Sequence, residues 1–121
     1  MAARKIRLQQ RRSIPAGLFE RKRPTLSTPQ KMETFRRALV RAHDNLHRRR
    51  DMKLEAYNVW LARVSKQRAQ TPKGAKMMRE LEGRRKEMQV LDNDLAQLST
   101  EIRLLQEHMT QQGVEFEKWP K

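Results

Sequence analysis

The chain has 121 residues, 36% hydrophobic, 5% aromatic and 35% charged, with 28 Lys and Arg against 14 Asp and Glu for a net charge of +14. Few glycines and prolines argue against a loop-rich β protein, and the lack of cysteine excludes disulfides, thiolate zinc sites and cysteine nucleophiles. No stretch approaches 18 consecutive apolar residues, so no membrane insertion is expected, and the composition points to an all-α protein of long helices with narrow apolar seams.

Residues 1–28 carry eight basic side chains and one acidic, and show no sustained period. Ile14-Pro15-Ala16-Gly17 and Pro24 punctuate them, since proline cannot continue a helix interior. Residues 2–12 have good helix formers but are too few to hold a helix alone in water. The expectation is a basic extended N-terminal arm over 1–28 that orders on its partner. Its start is Arg-rich and almost free of acid, as a mitochondrial transit peptide is, and is read as a working arm whether or not it also targets the chain.

A helix start follows at Thr28-Pro29, where threonine caps and proline fits the first helical position. Met32, Phe35, Leu39, Ala42 and Leu46 recur at steps of three and four. The seam meets Arg49 and Lys53 and resumes, shifted, at Leu54, Tyr57, Leu61 and Val64. A long basic helix is predicted over 29–70, meeting different neighbours at its two ends; at roughly 40 residues it would run about 60 Å.

A turn is predicted at 71–74, Thr71-Pro72-Lys73-Gly74, and a coiled-coil helix over 75–112. Met77, Leu81, Arg84, Met88, Leu91, Leu95, Leu98, Ile102, Leu105 and Met109 step by four and three without a slip, and only Arg84 departs from apolar. The flanking g column is Glu80, Glu87, Asp94, Glu101 and His108. In a parallel homodimer Glu87 would face Asp92 of the other copy, so a homodimer is not favoured. An acidic flank suits the basic helix before the turn, and an antiparallel α-hairpin is the preferred architecture, the rival being a seam shared with a neighbouring protein. Gly113 closes the helix. A short tail, 113–121, carries Phe116 and Trp119, which either fold back over the hairpin end or anchor in a neighbouring protein.

Nothing resembles an active site. His43-Asp44 and His47 approach a zinc-protease signature, but a catalytic zinc needs a third ligand and a base that reaches its water. The neighbouring positive charge also disfavours a dication. No catalysis, metal or cofactor is expected.

The charge has a direction. The first 70 residues hold the whole basic excess, and residues 71–121 carry nine charges of each sign. Arginine outnumbers lysine fourteen to five in those first 70, and its planar fork bonds phosphate bidentately and stacks on bases. The candidate RNA-binding residues are Arg4, Lys5, Arg7, Arg11, Arg12, Arg21, Lys22, Arg23, Arg36, Arg37, Arg41, Arg48, Arg49 and Arg50. Structured RNA is preferred to DNA because the arm is of the arginine-rich kind that folds on RNA and no DNA-reading motif is present.

The Arg-rich start from Ala2-Ala3-Arg4-Lys5 to Arg11-Arg12, the Arg21-Lys22-Arg23-Pro24 segment and the Arg-studded helix after it resemble accessory proteins of the mitochondrial ribosome. That resemblance implies a structural component in the mitochondrial matrix, threading its arm through ribosomal RNA and laying its helices on neighbouring proteins of a large complex. The alternative is a coiled-coil component of a filament- or microtubule-associated assembly, its basic half facing an acidic protein surface.

Overall fold

The computed structural model describes residues 14–64 and 71–121. It is all-α, with two long helices that pack together and no strand among the described residues. A short helix α1 spans Leu18–Lys22 and leads through a 3₁₀ turn at Arg23–Thr25 into α2, Pro29–Val64; α3 spans Pro72–Gln111.

The two long helices begin with the same local chemistry. At α2 the Thr28 carbonyl accepts the Met32 N–H at 3.1 Å, and its Oγ1 accepts the Lys31 N–H at 3.2 Å. Before α3, Thr71 Oγ1 accepts the Gly74 N–H at 3.0 Å, and its carbonyl accepts that of Ala75 at 2.9 Å. Each proline stands first in its helix, where a missing N–H costs nothing. The expected turn at 71–74 therefore reduces to its cap. Pro72, Lys73 and Gly74 already belong to α3, which starts three residues before the predicted 75 and ends one before 112. The predicted continuation of the first long helix past Val64 lies in 65–70, outside the described residues.

The C-terminus of α3 closes as a Schellman motif. Gly113 has φ +70°, its N–H donates to the Thr110 carbonyl at 3.1 Å, and the Val114 N–H donates to that of Met109 at 2.9 Å. Only glycine adopts that backbone without strain. Gly83, by contrast, lies inside α3, is exposed, and has nothing within 4 Å of where a Cβ would be. As a helical glycine it costs about 1 kcal/mol against alanine.

The chain divides into two compact units. One comprises the N-terminal part through His43 together with Ala96–Lys121, the other Asp44–Leu95. In the first, Leu98, Ile102, Leu105 and Met109 are at most 1% exposed, and Phe19, Leu26, Met32 and Leu39 are also buried. Burying such a side chain contributes about 1.5–3 kcal/mol. In the second unit Leu81 and Val64 are buried, whereas Met77, Met88, Leu91 and Leu95 are half-buried. There the helix pairing is antiparallel: Arg50 bonds Asp92 at 2.9 Å and Lys53 bonds Glu87 at 2.9 Å, later residues of α2 meeting earlier ones of α3. Arg84, the one polar member of the apolar series, is half-buried and sets its guanidinium 5.0 Å from the Trp60 ring, a cation–π contact.

The largest departure from expectation lies in residues 14–28, which are not extended. Gly17, at φ +75°, bends the chain into α1 but has no side chain with which to cap it. Glu101 of α3 supplies the cap instead, its Oε2 accepting the Phe19 N–H at 2.6 Å across 82 residues of sequence. The Phe19 ring is buried, with its centroid 5.5 Å from that of His108. An isolated five-residue helix cannot persist, so α1 exists because one aromatic and one backbone N–H find partners on α3.

Candidate nucleic-acid interface

The predicted cations divide into three groups. Arg4, Lys5, Arg7, Arg11 and Arg12 lie outside the described residues. A second group is exposed: Arg21, Lys22 and Arg23 around α1, and Arg37, Arg41, Arg48 and Arg49 on α2. Arg23 is held loosely by Glu20 at 3.3 Å, and Arg48 donates to the Asn45 side-chain oxygen at 2.6 Å. Arg37 touches Glu33 at 3.0 Å while its side chain stays 76% exposed, so phosphate can compete for it.

The third group, Arg36 and Arg50, is less exposed than the sequence reading expected. Arg36 is buried, with Nη2 and Nε bonding the two oxygens of Glu33 at 2.6 and 3.0 Å and its guanidinium 5.9 Å from the Phe116 ring centre. The hydrogen bond from Arg36 holds the Glu33 carboxyl below the usual carboxylate range, against the opposing effect of partial burial. The same bond pushes the Arg36 guanidinium up, desolvation opposing it. Arg50 is half-buried on Asp92, with Asp51 at 4.0 Å. Arg50 links α2 to α3 through Asp92, and Arg36 pairs within α2 and packs against Phe116, so both are less open to a phosphate than their exposed neighbours.

The aromatic tail folds back, the first of the two alternatives expected for Phe116 and Trp119. Gln106 bonds both backbone groups of Trp119, its Nε2 donating to the carbonyl at 2.7 Å and its Oε1 accepting the N–H at 3.0 Å. The Trp119 ring meets His43 edge-on at 4.6 Å, and Phe116 lies under Arg36. Both aromatics keep partial exposure. Within the tail Lys121 lies 2.6 Å from Glu117; that hydrogen bond lowers the Glu117 carboxyl and raises the Lys121 amine.

His43 is therefore part of the packing around the tail, and His47 is paired with Asp51 at 3.3 Å. Among the described residues no three His, Asp or Glu side chains cluster as metal ligands. No helix among them is long and apolar enough to cross a membrane.

Three features were not read from the sequence. Glu101, expected on an acidic flank facing the basic helix, is 1% exposed and caps α1, and also accepts a hydrogen bond from Gln97 at 2.8 Å. Gln106 clamps the tail, and α1 forms within the segment expected to be extended. Only the hydrophobic pair Leu18-Phe19 between Gly17 and a charged run hinted at α1. Comparison with known protein families, curated proteins and solved structures finds no match to this chain.

Proposed function

We propose that the chain is a non-catalytic structural component of a large ribonucleoprotein, binding RNA through exposed arginines on α2 and basic residues around α1. The observation that carries this reading is the arginine sorting on α2. Arg36 and Arg50 are engaged by carboxylates, while Arg37, Arg41, Arg48 and Arg49 remain exposed on a segment that has few acids to pair with them. Helix solubility does not require four exposed arginines, and guanidinium groups suit phosphate and stacked bases. The fold supports the reading in a second way: α1 is fastened to α3, so the exposed Arg21, Lys22 and Arg23 beside it are held in place.

By its Arg-rich start the chain resembles accessory mitochondrial ribosomal proteins, and we place it in that class of assembly, in the matrix, with neighbouring proteins as further partners. Its test is equilibrium binding of the purified full chain to ribosomal RNA fragments across a salt series. If six to ten phosphates are contacted, affinity falls by about 10³ to 10⁵ between about 50 and 200 mM salt. Replacing Arg37, Arg41, Arg48 and Arg49 with Gln reduces the slope of log K against log salt by about 3 to 4. A wild-type chain that ignores RNA but pellets with filaments or microtubules would assign the basic surface to an acidic protein.

A further inference from the structure

Gly83 sits in the interior of a helix, where glycine is among the least favourable residues. No positive φ and no close packing among the described residues calls for it, and the space beside it is open. That space belongs to a cleft of about 630 Å³ in the Asp44–Leu95 unit, lined by Gly83 with Lys53, Lys76, Arg79, Arg84, Glu80 and Glu87. Four cations therefore face two carboxylates. Both carboxylates are engaged within the cleft, Glu87 by Lys53 at 2.9 Å and Glu80 by Arg84 at 3.7 Å. Lys76 and Arg79 are exposed, and with Gly83 they follow at steps of three and four, the spacing of one helix side. A polyanion lying along α3 would meet Lys76 and Arg79, pass Glu80 where Arg84 pairs it, and reach bare backbone at Gly83.

We propose that this cleft seats a stretch of RNA sugar–phosphate backbone, with Lys76 and Arg79 on the phosphates and Gly83 giving the strand close approach to the helix. The inference rests on the RNA-binding reading and extends it to a half of the chain whose net charge is zero. RNA is favoured over an acidic protein segment because the lining holds no large apolar side chain against which a protein anchor could bury. A phosphate backbone needs charge and room rather than an apolar wall.

The experiment uses the full chain and the same ribosomal RNA fragments. Lys76→Gln with Arg79→Gln is expected to reduce the salt slope of binding by about 2 and to leave the melting temperature unchanged. Gly83→Ala is expected to raise the melting temperature by about 4 °C and yet weaken RNA binding, a divergence that a purely structural glycine does not produce. In the RNA complex, Lys76 is expected to be protected from amine acylation. The proposal is overturned if the double variant keeps the wild-type slope, if Gly83→Ala binds RNA as well as wild type, or if polyglutamate but not RNA protects Lys76. When those results appear while Arg37→Gln with Arg41→Gln still weakens RNA binding, only this cleft is refuted. A wild-type chain that binds no RNA refutes both readings.

Discussion

Glu101→Ala separates the tertiary origin of α1 from any local preference of its residues. Two donors meet the Glu101 side chain, the Phe19 N–H at 2.6 Å and the Gln97 amide at 2.8 Å. Gln97 is half-buried and can turn to water, so its bond is replaced at little cost. The Phe19 N–H is at a buried site and has no such alternative. Losing a hydrogen bond to a charged acceptor there costs about 1.5–3 kcal/mol, and at about 4 °C per kcal/mol the melting temperature falls by roughly 6–12 °C. Glu101→Gln keeps one acceptor oxygen without its charge, and neutral bonds are about half as strong, so it costs roughly 1 kcal/mol. The assays are urea denaturation followed by circular dichroism, and hydrogen exchange at the Phe19 amide. Alanine should speed exchange at Phe19 and leave the amides of the Asp44–Leu95 unit unchanged. A loss below about 0.5 kcal/mol, with unchanged exchange at Phe19, would refute the reasoning.

Neighbouring arginines give a sharp contrast: Arg36→Ala, which removes a buried side chain packed on Phe116 and two bonds to Glu33 while leaving that carboxylate its bond from Arg37, should lower stability by about 1–2 kcal/mol, whereas Arg37→Ala should change it by less than about 0.5 kcal/mol and weaken RNA binding. Urea titrations and filter binding on the two variants measure both effects. Gly113→Ala should cost about 1–2 kcal/mol in the same titration, because alanine at φ +70° is strained while nothing crowds its Cβ. Gln106→Glu keeps an acceptor for the Trp119 N–H but places a carboxylate against its carbonyl. In a Trp60→Phe background it should shift Trp119 emission to the red as the tail detaches. The Glu33 carboxyl is held low in the folded chain chiefly by the Arg36 hydrogen bond. Its contribution is therefore present above the unfolded carboxyl pKa of about 4.3 and is lost as pH falls through the lower folded value. Glu33→Gln should flatten the stability profile over that acid range, and an unchanged profile would show that the pair does not carry it.

Local chemistry was the most legible part of the sequence. Thr28-Pro29, Thr71-Pro72 and Gly113 mark helix ends through bonds made within a few residues, and each lies within three residues of the observed boundary. The apolar steps from Leu98 to Met109 were legible because one unbroken period selects one helix side. The same period from Met77 to Leu95 continues, yet apart from Leu81 those residues are only partly covered, since a pattern records which side packs and not how much lies opposite. Arg36 and Arg37 are adjacent and chemically identical, and only the register of α2 against its neighbours turns one inward. Glu101 and Gln106 were hidden for a related reason. Each bonds a backbone group of a distant or folded-back segment, and backbone groups leave no trace in the sequence. The RNA-binding reading draws on charge and exposure, and by exposure Arg37, Arg41, Arg48 and Arg49 stand ahead of the buried Arg36 and the half-buried Arg50.

The most direct test of the central claim is sedimentation of the tagged full chain from a lysate, with and without ribonuclease, at low and moderate salt. The account predicts that the chain travels with a ribosome-sized particle and that ribonuclease releases it, more readily as salt rises. Co-sedimentation with filaments that is indifferent to ribonuclease would contradict it, and would leave the exposed arginines of α2 facing an acidic protein surface.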